Sequence, residues 1–469
     1  MAAVHHPLDD VLAAALPAGS LYAVGGRVRD ELRRTVDPAV AAPKDLDYVV
    51  IRVPLAELKD RLECIGRVDE VGASFAVLKF RHPAGEADIA LPRRERSTGV
   101  AHRAFAVESG PEIPLEDDLA RRDFRMNMIA RRVDDGAVID PYGGIDDVRM
   151  RRVDVARREA FAEDPLRMLR AAQFAARFGY RLTASAREAM AAAAALVATV
   201  SGERIGDEVG KLMLAAAPSV GVEILRETGV LAHLWPELLE GIAVDQNEWH
   251  AYDVYRHALA SVDAAPVGHL AVRLAALLHD IGKPRTAEAR PDGRGNTFYR
   301  HEIVGADLVV PMLERLRLSN AVIDLVTHLV RHHMYAADAD AQDRALRRFV
   351  RRIGTERLDA QFALRHADIA GSGLPKRDDA NERFEARVAA IVAERPPFTL
   401  RDLAFDGAGI IVLLQQKGLA PPGFRGDARV GEVLRALFEE VTDDPSRNEP
   451  GLLATAAGRY IDAHFGAGR

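Results

Sequence analysis

Short apolar runs broken by turn residues fill the first 150 positions: LYAV ahead of Gly25 and Gly26, LDYVVI at 46–51, SFAVLKF at 74–80 and ADIAL at 87–91. Runs of this length, rich in β-branched and aromatic residues and spaced by helix-like segments, predict a mixed α/β domain over 1–150. From Arg158 the pattern changes to Ala, Leu and Arg at helical spacing, as in AMAAAAALVATV, and strand signals almost vanish. The remainder is therefore expected to be all-helical, so that the fold class is α+β, an α/β head followed by helices. Two breaks, Trp235-Pro236 to Gly241 and ERPPFTL at 394–400, divide the helical part into 151–240, 241–395 and a tail over 396–469.

A chain of 469 residues with 48% hydrophobic and 28% charged positions sits at globular averages, which excludes wholesale disorder and a coiled-coil rod. Its 63 Lys and Arg against 70 Asp and Glu leave a net charge of −7, so any nucleic-acid site must be a local basic patch. The single cysteine, Cys64, rules out an intramolecular disulfide and a thiolate-clustered zinc site and fits a reducing cytoplasm. The start MAAVHHPLDDVLAAALPAG lacks the basic region and long apolar core of a signal peptide, and no apolar run approaches bilayer length. A soluble cytoplasmic protein with no membrane role is expected.

The segment LYAVGGRVRDEL puts Gly25 and Gly26 between a strand and a helix, where backbone N–H groups at the positive helix end can approach a phosphate. A Gly-Gly pair alone marks any tight turn. Asp45 and Asp47 change that reading, because at i and i+2 on a strand opening both project from one face, as two ligands of a shared hard cation must. Glycine loop and carboxylate pair together describe metal-assisted phosphoryl transfer. A third carboxylate is expected on a neighbouring strand, with Asp88 in ADIALPRRE as the first candidate and Glu86 as its competitor. ARRDFRMNMIA adds Arg121, Arg122, Asp123 and Asn127, the last two on one helical face at i and i+4.

In EDPLRMLR, Pro165 suits the first helical position and Asp164 the N-cap. Arg167 and Arg170 follow at three-residue steps on the same side of the helix. A carboxylate with a guanidinium offers an acceptor and paired donors in fixed geometry, able to match the hydrogen-bonding edge of cytosine or adenine.

GGRVRD, DLD, RRDFRMN, DPYGGIDD and EDPLRMLRAAQFAARFGY resemble, in order and spacing, the class II nucleotidyltransferases of the DNA polymerase beta superfamily. Within it the pattern is that of bacterial tRNA CCA-adding enzymes and poly(A) polymerases, and it covers roughly the first half of the chain. The resemblance implies that Gly26 and Arg29 contact the triphosphate and that Asp45 and Asp47 are Mg²⁺ ligands. It further implies that Arg122 and Asp123 contact the incoming nucleotide, and that Asp164, Arg167 and Arg170 replace a nucleic-acid template. The chain departs from the family pattern at Arg125 and Met128, where smaller residues are usual, and at Gln173, where another Arg is frequent. ERIGDEVGKLMLA at 203–215 resembles the family's next helical motif, a structural support. The basic RRERSTGVAHRAF at 93–105 is expected as a flexible loop that reshapes the pocket between C and A addition. Arg149, Arg151, Arg152, Arg157 and Arg158 form a stripe able to follow an acceptor stem through its phosphates.

A second constellation lies downstream. LAVRLAALLHDIGKP ends in His279-Asp280, with His257 in YDVYRHAL, His301 in YRHEIVGA, His333 in VRHHM and Asp368 in LRHADIAGSG. The order resembles the HD phosphohydrolase superfamily, and imidazole with carboxylate suits a divalent transition metal, Ni²⁺, Co²⁺ or Mn²⁺, that activates water. His257, His279, Asp280 and Asp368 are the ligand candidates. His301 and His333 are candidates for a second metal or the substrate phosphate, with His328 and His332 as neighbours that leave this open.

The expected protein is thus a nucleotidyltransferase head (1–150), helical neck and RNA-binding body (151–240), HD domain (241–395) and helical tail. It is expected to add C, C and A to the acceptor end of tRNA from CTP and ATP, and to hydrolyse phosphomonoesters or 2′,3′-cyclic phosphodiesters at the HD site. The rivals are a poly(A) polymerase or an enzyme adding only A or only CC, a metal phosphohydrolase with an RNA-binding head, and a non-catalytic RNA scaffold. Retention of both Asp45 and Asp47 argues against the phosphohydrolase, and two sets of metal-type ligands argue against the scaffold.

Overall fold

A computed structural model describes residues 5–43, 45–71, 77–97, 105–246, 249–291, 295–375 and 379–466. The chain forms two compact units, Met1–Glu240 with Met312–Leu318, and Gly241–Pro311 with Ser319–Arg469.

The first unit is built on a seven-stranded mixed sheet, with β1 at Leu21–Val24, β2 at Asp47–Val50, β3 at Arg67–Val71, β4 at Val77–His82 and β5 at Gly85–Ala90. Arg93–Ser97 and Phe105–Ser109 form a separate hairpin, β6 and β7, and β8 (Ala130–Arg132) and β9 (Val138–Ile139) complete the sheet in the order β3-β4-β5-β2-β1-β8-β9. The four apolar runs all supply strands, although residues 72–76 of the SFAVLKF region lie outside the described residues. The stretch expected as a loop at 93–105 is a hairpin in its described arms, because Arg93 to Ser97 pair in register with Ser109 to Phe105. Its tip, 98–104, also lies outside the described residues. β2 is the central strand, and its neighbour β1, antiparallel to β2 and β8, is buried along its whole length. β2 runs parallel to β5, which the turn between β4 and β5 returns alongside it.

Helices α1 (Pro7–Ala15) and α2 (Gly26–Val36) fasten to this sheet through an ionic cluster without a sequence signature. Arg27 donates to both oxygens of Asp9 at 2.8 and 2.7 Å and to Glu31 at 2.9 Å, Arg131 donates to Glu31 at 2.9 Å, and the Tyr48 hydroxyl donates to Asp9. Burial alone would raise the Asp9 carboxyl; the Arg27 charge and the hydrogen bonds from Tyr48 and Arg27 outweigh it and hold Asp9 below the ordinary carboxylate range. Removing one member of a buried set strands its partners, so Asp9→Ala should lower the unfolding free energy by about 3–5 kcal/mol. Urea denaturation at pH 7 measures this. Since the folded Asp9 binds protons less readily than the unfolded one, its contribution is complete above about pH 4 and is lost as pH falls through the folded value.

The two departures near Asn127 are absorbed by packing. Arg125 makes a bidentate pair with the fully buried Asp147 at 2.8 Å through both Nε and Nη2, and its Nη1 lies 3.3 Å from Asp154. Met128 joins a core cluster with Tyr22, Val24, Val49 and Leu119.

The second unit is helical apart from the short pair Ala287–Ala289 and Asn296–Phe298. Helices Val254–Ala264, Leu270–Leu278 and Leu358–Gly371 carry the His-Asp residues, and the glycine after His279-Asp280 has a packing cause. A Cβ on Gly282 would meet the His301 carbonyl and lie 2.7 Å from Gly305 N, so only glycine allows the two segments so close. Helices Gly407–Gln416, Ala428–Asp443 and Pro450–Phe465 pack around Ile410, Leu414, Val433, Leu437 and Ile461. No helix among the described residues is long and apolar enough to cross a membrane.

Candidate active sites

In the head, Gly25 has φ 66° and ψ −132°, and Gly26 opens α2. A side chain at Gly25 would occupy the place of the Arg122 guanidinium, so the glycine serves both a positive φ and a close approach. Asp47 begins β2, and Asp88 stands beside it in register on parallel β5, so Asp45, Asp47 and Asp88 form a row on one sheet face. The register favours Asp88 over Glu86, which lies one pleat further along β5, largely exposed and 3.5 Å from Arg81. Among the described residues none of the three carboxylates takes a hydrogen bond or forms an ion pair. Burial pushes the Asp47 carboxyl up, Asp88 and Asp45 push it the same way, and Arg122 opposes them. Like charges side by side with this little compensation are the donor set of a hard divalent cation.

A cavity of about 360 Å³ is lined by Gly26, Arg29, Asp45 and Asp47 together with Arg177 and Phe178. A second, of about 400 Å³, contains all nine residues expected at the nucleotide: Gly25, Gly26, Arg29, Arg122, Asp123, Asn127, Asp164, Arg167 and Arg170. Gly26 and Arg29 line both. Hydrogen bonds chain the second set together. Arg29 donates to Asn127 Oδ1 at 2.8 Å, Asn127 donates to Asp123 Oδ1 at 2.8 Å, and Arg170 donates to Asp123 Oδ2 from Nε and Nη2 at 3.0 and 2.6 Å. Burial opposes the charge on Asp123, but Arg170 and the bonds from Asn127 and Arg170 win and hold its carboxyl below the usual range.

One expectation needs correction here. Asp123 and Asn127 do not share a helix, because Phe124 is extended (φ −129°, ψ 149°) and only a short 3₁₀ turn follows at Arg125–Asn127. The extended residue drives its fully buried ring against Phe174, and the two polar side chains meet across the turn instead. Arg170 has two donors engaged by Asp123, and Asp164 and Arg167 line the same cavity. Arg167 spends Nη2 on the Arg121 carbonyl at 2.9 Å, while Asp164 receives Leu166 N at 3.3 Å, and Arg204 Nη2 lies 3.4 Å from it. Asp164 is therefore both a helix cap and a cavity wall.

Four imidazoles converge in the second unit. Nε2 of His257 lies 3.0 Å from Nε2 of His279, and Nε2 of His301 lies 3.1 Å from Nε2 of His333. Nδ1 of His279, His301 and His333 each sits 2.7 to 2.9 Å from a backbone carbonyl, which only an N–H satisfies, so these rings turn an Nε2 lone pair inward. Asp280 divides the cluster. Its Oδ2 lies 3.2 Å from His279 and 3.5 Å from His257, and its Oδ1 lies 3.3 Å from His301 and 3.6 Å from His333. Asp368 closes the first half at 3.1 Å from His257.

Three groups of ligand atoms lie within 4.8 Å of one another among the described residues: His250, His257 and Asp368; His257, His279 and Asp280; and Asp280, His301 and His333. The last two share Asp280, which gives the cluster the layout of two adjoining cation pockets with a common carboxylate. The Nε2 lone pairs of His301 and His333 face each other at 3.1 Å and repel, and a divalent cation between them removes the repulsion, so the donor set fits a metal. Burial opposes a proton on His279 Nε2, whereas Asp280 and Asp368 favour one there as long as no cation is bound, and His279 and Lys283 hold Asp280 well below the carboxylate range against its burial; a metal at this site takes the place of that proton.

The Poly A polymerase head domain family matches residues 21–154, the probable RNA and SrmB-binding site of polymerase A matches 179–241, and the HD domain matches 250–369. The chain is 38% identical over 357 residues to the multifunctional CCA protein of Cupriavidus metallidurans, which spans 73% of this chain and 82% of that one. It is 35% identical over 419 residues to the multifunctional CCA protein of Nitrosococcus oceani, spanning 85% of this chain and 96% of the relative. The chain belongs to the multifunctional CCA protein family.

Solved structures agree on the fold. The Bacillus stearothermophilus CCA-adding enzyme in complex with CTP superposes with a TM-score of 0.67 at 22% identity over 95% of both chains. The Thermotoga maritima CCA-adding enzyme complexed with tRNA gives 0.55 at 18% identity, covering 97% of this chain and 95% of that one.

In this member of the multifunctional CCA protein family, several site residues lie inside recognisable motifs without a pattern that marks them as site residues. Phe174 and Phe178 face Arg29 at 5.3 and 4.8 Å, but at i and i+4 on an apolar helix they read as core. Arg204 reaches Asp164 from 40 residues away. Lys283, which donates to Asp280 and to Gln246 at 2.6 Å each, had a signal in its position one turn after Asp280.

Proposed function

We propose that the head adds C, C and A to tRNA 3′ ends from CTP and ATP, releasing pyrophosphate, and that the HD site is a metal-dependent phosphohydrolase. The observation that carries the first part is the hydrogen-bonded chain from Arg29 through Asn127 and Asp123 to Arg170, which joins the glycine loop to the Asp164 and Arg167 wall. Arg29 and the Gly25-Gly26 backbone bind the triphosphate at the helix N-terminus, and Arg122 adds positive charge beside it. Asp45 and Asp47, with Asp88, hold Mg²⁺, which when bound neutralises the triphosphate and lowers the pKa of the tRNA 3′-hydroxyl. Asp164 accepts from the exocyclic amino group of C or A and Arg167 donates to the ring edge, while Asp123 keeps Arg170 in place. Residues 151–240 form the RNA-binding neck and body. In the second unit His257, His279, Asp280 and Asp368 hold one divalent transition metal, Ni²⁺, Co²⁺ or Mn²⁺, and His301, His333 and Asp280 hold another. The substrates there are 2′,3′-cyclic phosphodiesters and phosphomonoesters.

The test is incubation with tRNA transcripts lacking CCA, CA or A, supplied with CTP, ATP or both, and products resolved at single-nucleotide length. Stepwise completion to CCA is expected; runs of A alone would make the protein a poly(A) polymerase. Selection has its own test. Arg167→Ala should raise misincorporation of GTP and UTP about tenfold or more through the lost paired donors. Asp164→Ala should do the same and also lower stability by about 1 kcal/mol through the lost cap. A stability loss in Asp164→Ala with selection unchanged assigns Asp164 to capping alone.

A further inference from the structure

The cavity beside the imidazole cluster encloses about 480 Å³, the size of a mononucleotide site. Among the residues that line it and take no part in the metal chemistry are Arg365 and Asn381. Arg365 Nε and Asn381 Oδ1 are both buried without a hydrogen-bond partner. Buried polar atoms are rarely left so, and two of them on one cavity point to a ligand that supplies an acceptor to the first and a donor to the second.

Arg365 is not a loose arm. It stands one helical turn before Asp368, with Nη1 3.6 Å from Asp368 Oδ2 and its guanidinium 5.5 Å from the centre of the Tyr335 ring. Among the described residues the other Lys or Arg on the cavity, Lys283, is already bound to Asp280 and Gln246. Arg365 is therefore, among the described residues, the lining cation with a donor to spare, and its planar fork suits phosphate oxygens. Phe298 and Met334 add apolar wall against which a nucleoside can rest.

We propose that Arg365 and Asn381 hold a nucleoside phosphate in this cavity, Arg365 donating to a phosphate oxygen and Asn381 accepting from an N–H or O–H of the nucleoside. The assignment rests on the phosphohydrolase reading of the HD site and names the residues that make its substrate a nucleotide rather than any phosphoester.

Wild type, Arg365→Ala, Arg365→Lys and Asn381→Ala are compared after loading with Ni²⁺, with melting and nickel content verifying fold and metal. Binding of adenosine 3′-monophosphate is measured by calorimetry. Hydrolysis is measured on 2′,3′-cyclic AMP and on bis(p-nitrophenyl) phosphate, which has no nucleoside. Arg365→Ala should weaken nucleotide binding and raise KM on both esters by roughly tenfold, with part of the loss recovered in Arg365→Lys. Asn381→Ala should weaken nucleotide binding about fivefold and lose less on bis(p-nitrophenyl) phosphate. Unchanged nucleotide affinity in both alanine variants overturns the assignment while hydrolysis by the wild type leaves the HD reading standing. Loss of nickel along with affinity makes Arg365 a support for Asp368 and overturns it too. A wild-type protein that neither binds the nucleotide nor hydrolyses either ester overturns the HD reading itself.

Discussion

Asp47→Asn should remove nucleotide addition by roughly 10³-fold or more while tRNA binding stays near its original strength. Losing a single preorganised charge-stabilising group costs about 10²–10³ in rate, and Asp47 stands between Asp45 and Asp88 in the row where the cation's charge is needed most. The substitution keeps size and shape, so the sheet should fold unchanged. RNA affinity comes from basic residues spread over other surfaces and not from this carboxylate. Primer extension on a truncated tRNA, with filter binding of the same tRNA, separates the two quantities. Normal extension by Asp47→Asn would remove the head carboxylates from the chemistry.

Asp280→Asn should empty both halves of the HD cluster at once. Its two oxygens face different imidazole pairs, so one amide replaces a carboxylate shared by two pockets. Ligand loss of this kind is expected to reduce hydrolysis of a 2′,3′-cyclic nucleotide by roughly 10³-fold or more. Bound transition metal, measured by elemental analysis, should fall to near zero. CCA addition should continue near its original rate, because the carboxylates proposed to serve it, Asp45, Asp47 and Asp88, are a set apart from the HD cluster. His333→Ala makes the complementary case: it should lower the metal count without abolishing it, since the first pocket keeps all four of its candidate ligands, His257, His279, Asp280 and Asp368. Loss of CCA addition in a folded Asp280→Asn protein would mean that the two activities are not independent.

What could be read from the chain was what the chain holds within a few positions. Gly25 with Gly26, Asp45 with Asp47, and His279 with Asp280 are close in sequence, and a strand or helix period is enough to say how their side chains project. The nine residues expected at the nucleotide come from three separate segments, which the family resemblance joins and local pattern does not. The rest depends on register and long-range packing. Asp88 was preferred over Glu86 only as a candidate, and the parallel pairing of β2 with β5 now favours it. The helical reading of Asp123 and Asn127 failed because burial of the Phe124 ring overrides local helical spacing. The loop expected at 93–105 has hairpin arms because its polar residues pair across strands, and an apolar periodicity cannot report that.

The ionic cluster around Asp9 also sets where this protein can be cut. The match to the Poly A polymerase head domain begins at residue 21, and a fragment trimmed there would look like a whole head by resemblance. It would nevertheless lack Asp9, leaving the guanidinium groups of Arg27 and Arg131 in the interior with Glu31 as their remaining carboxylate. The domain that evolution marks out and the domain that can close on itself therefore differ by one short helix. An excised head should begin before His6, whose side chain caps that helix.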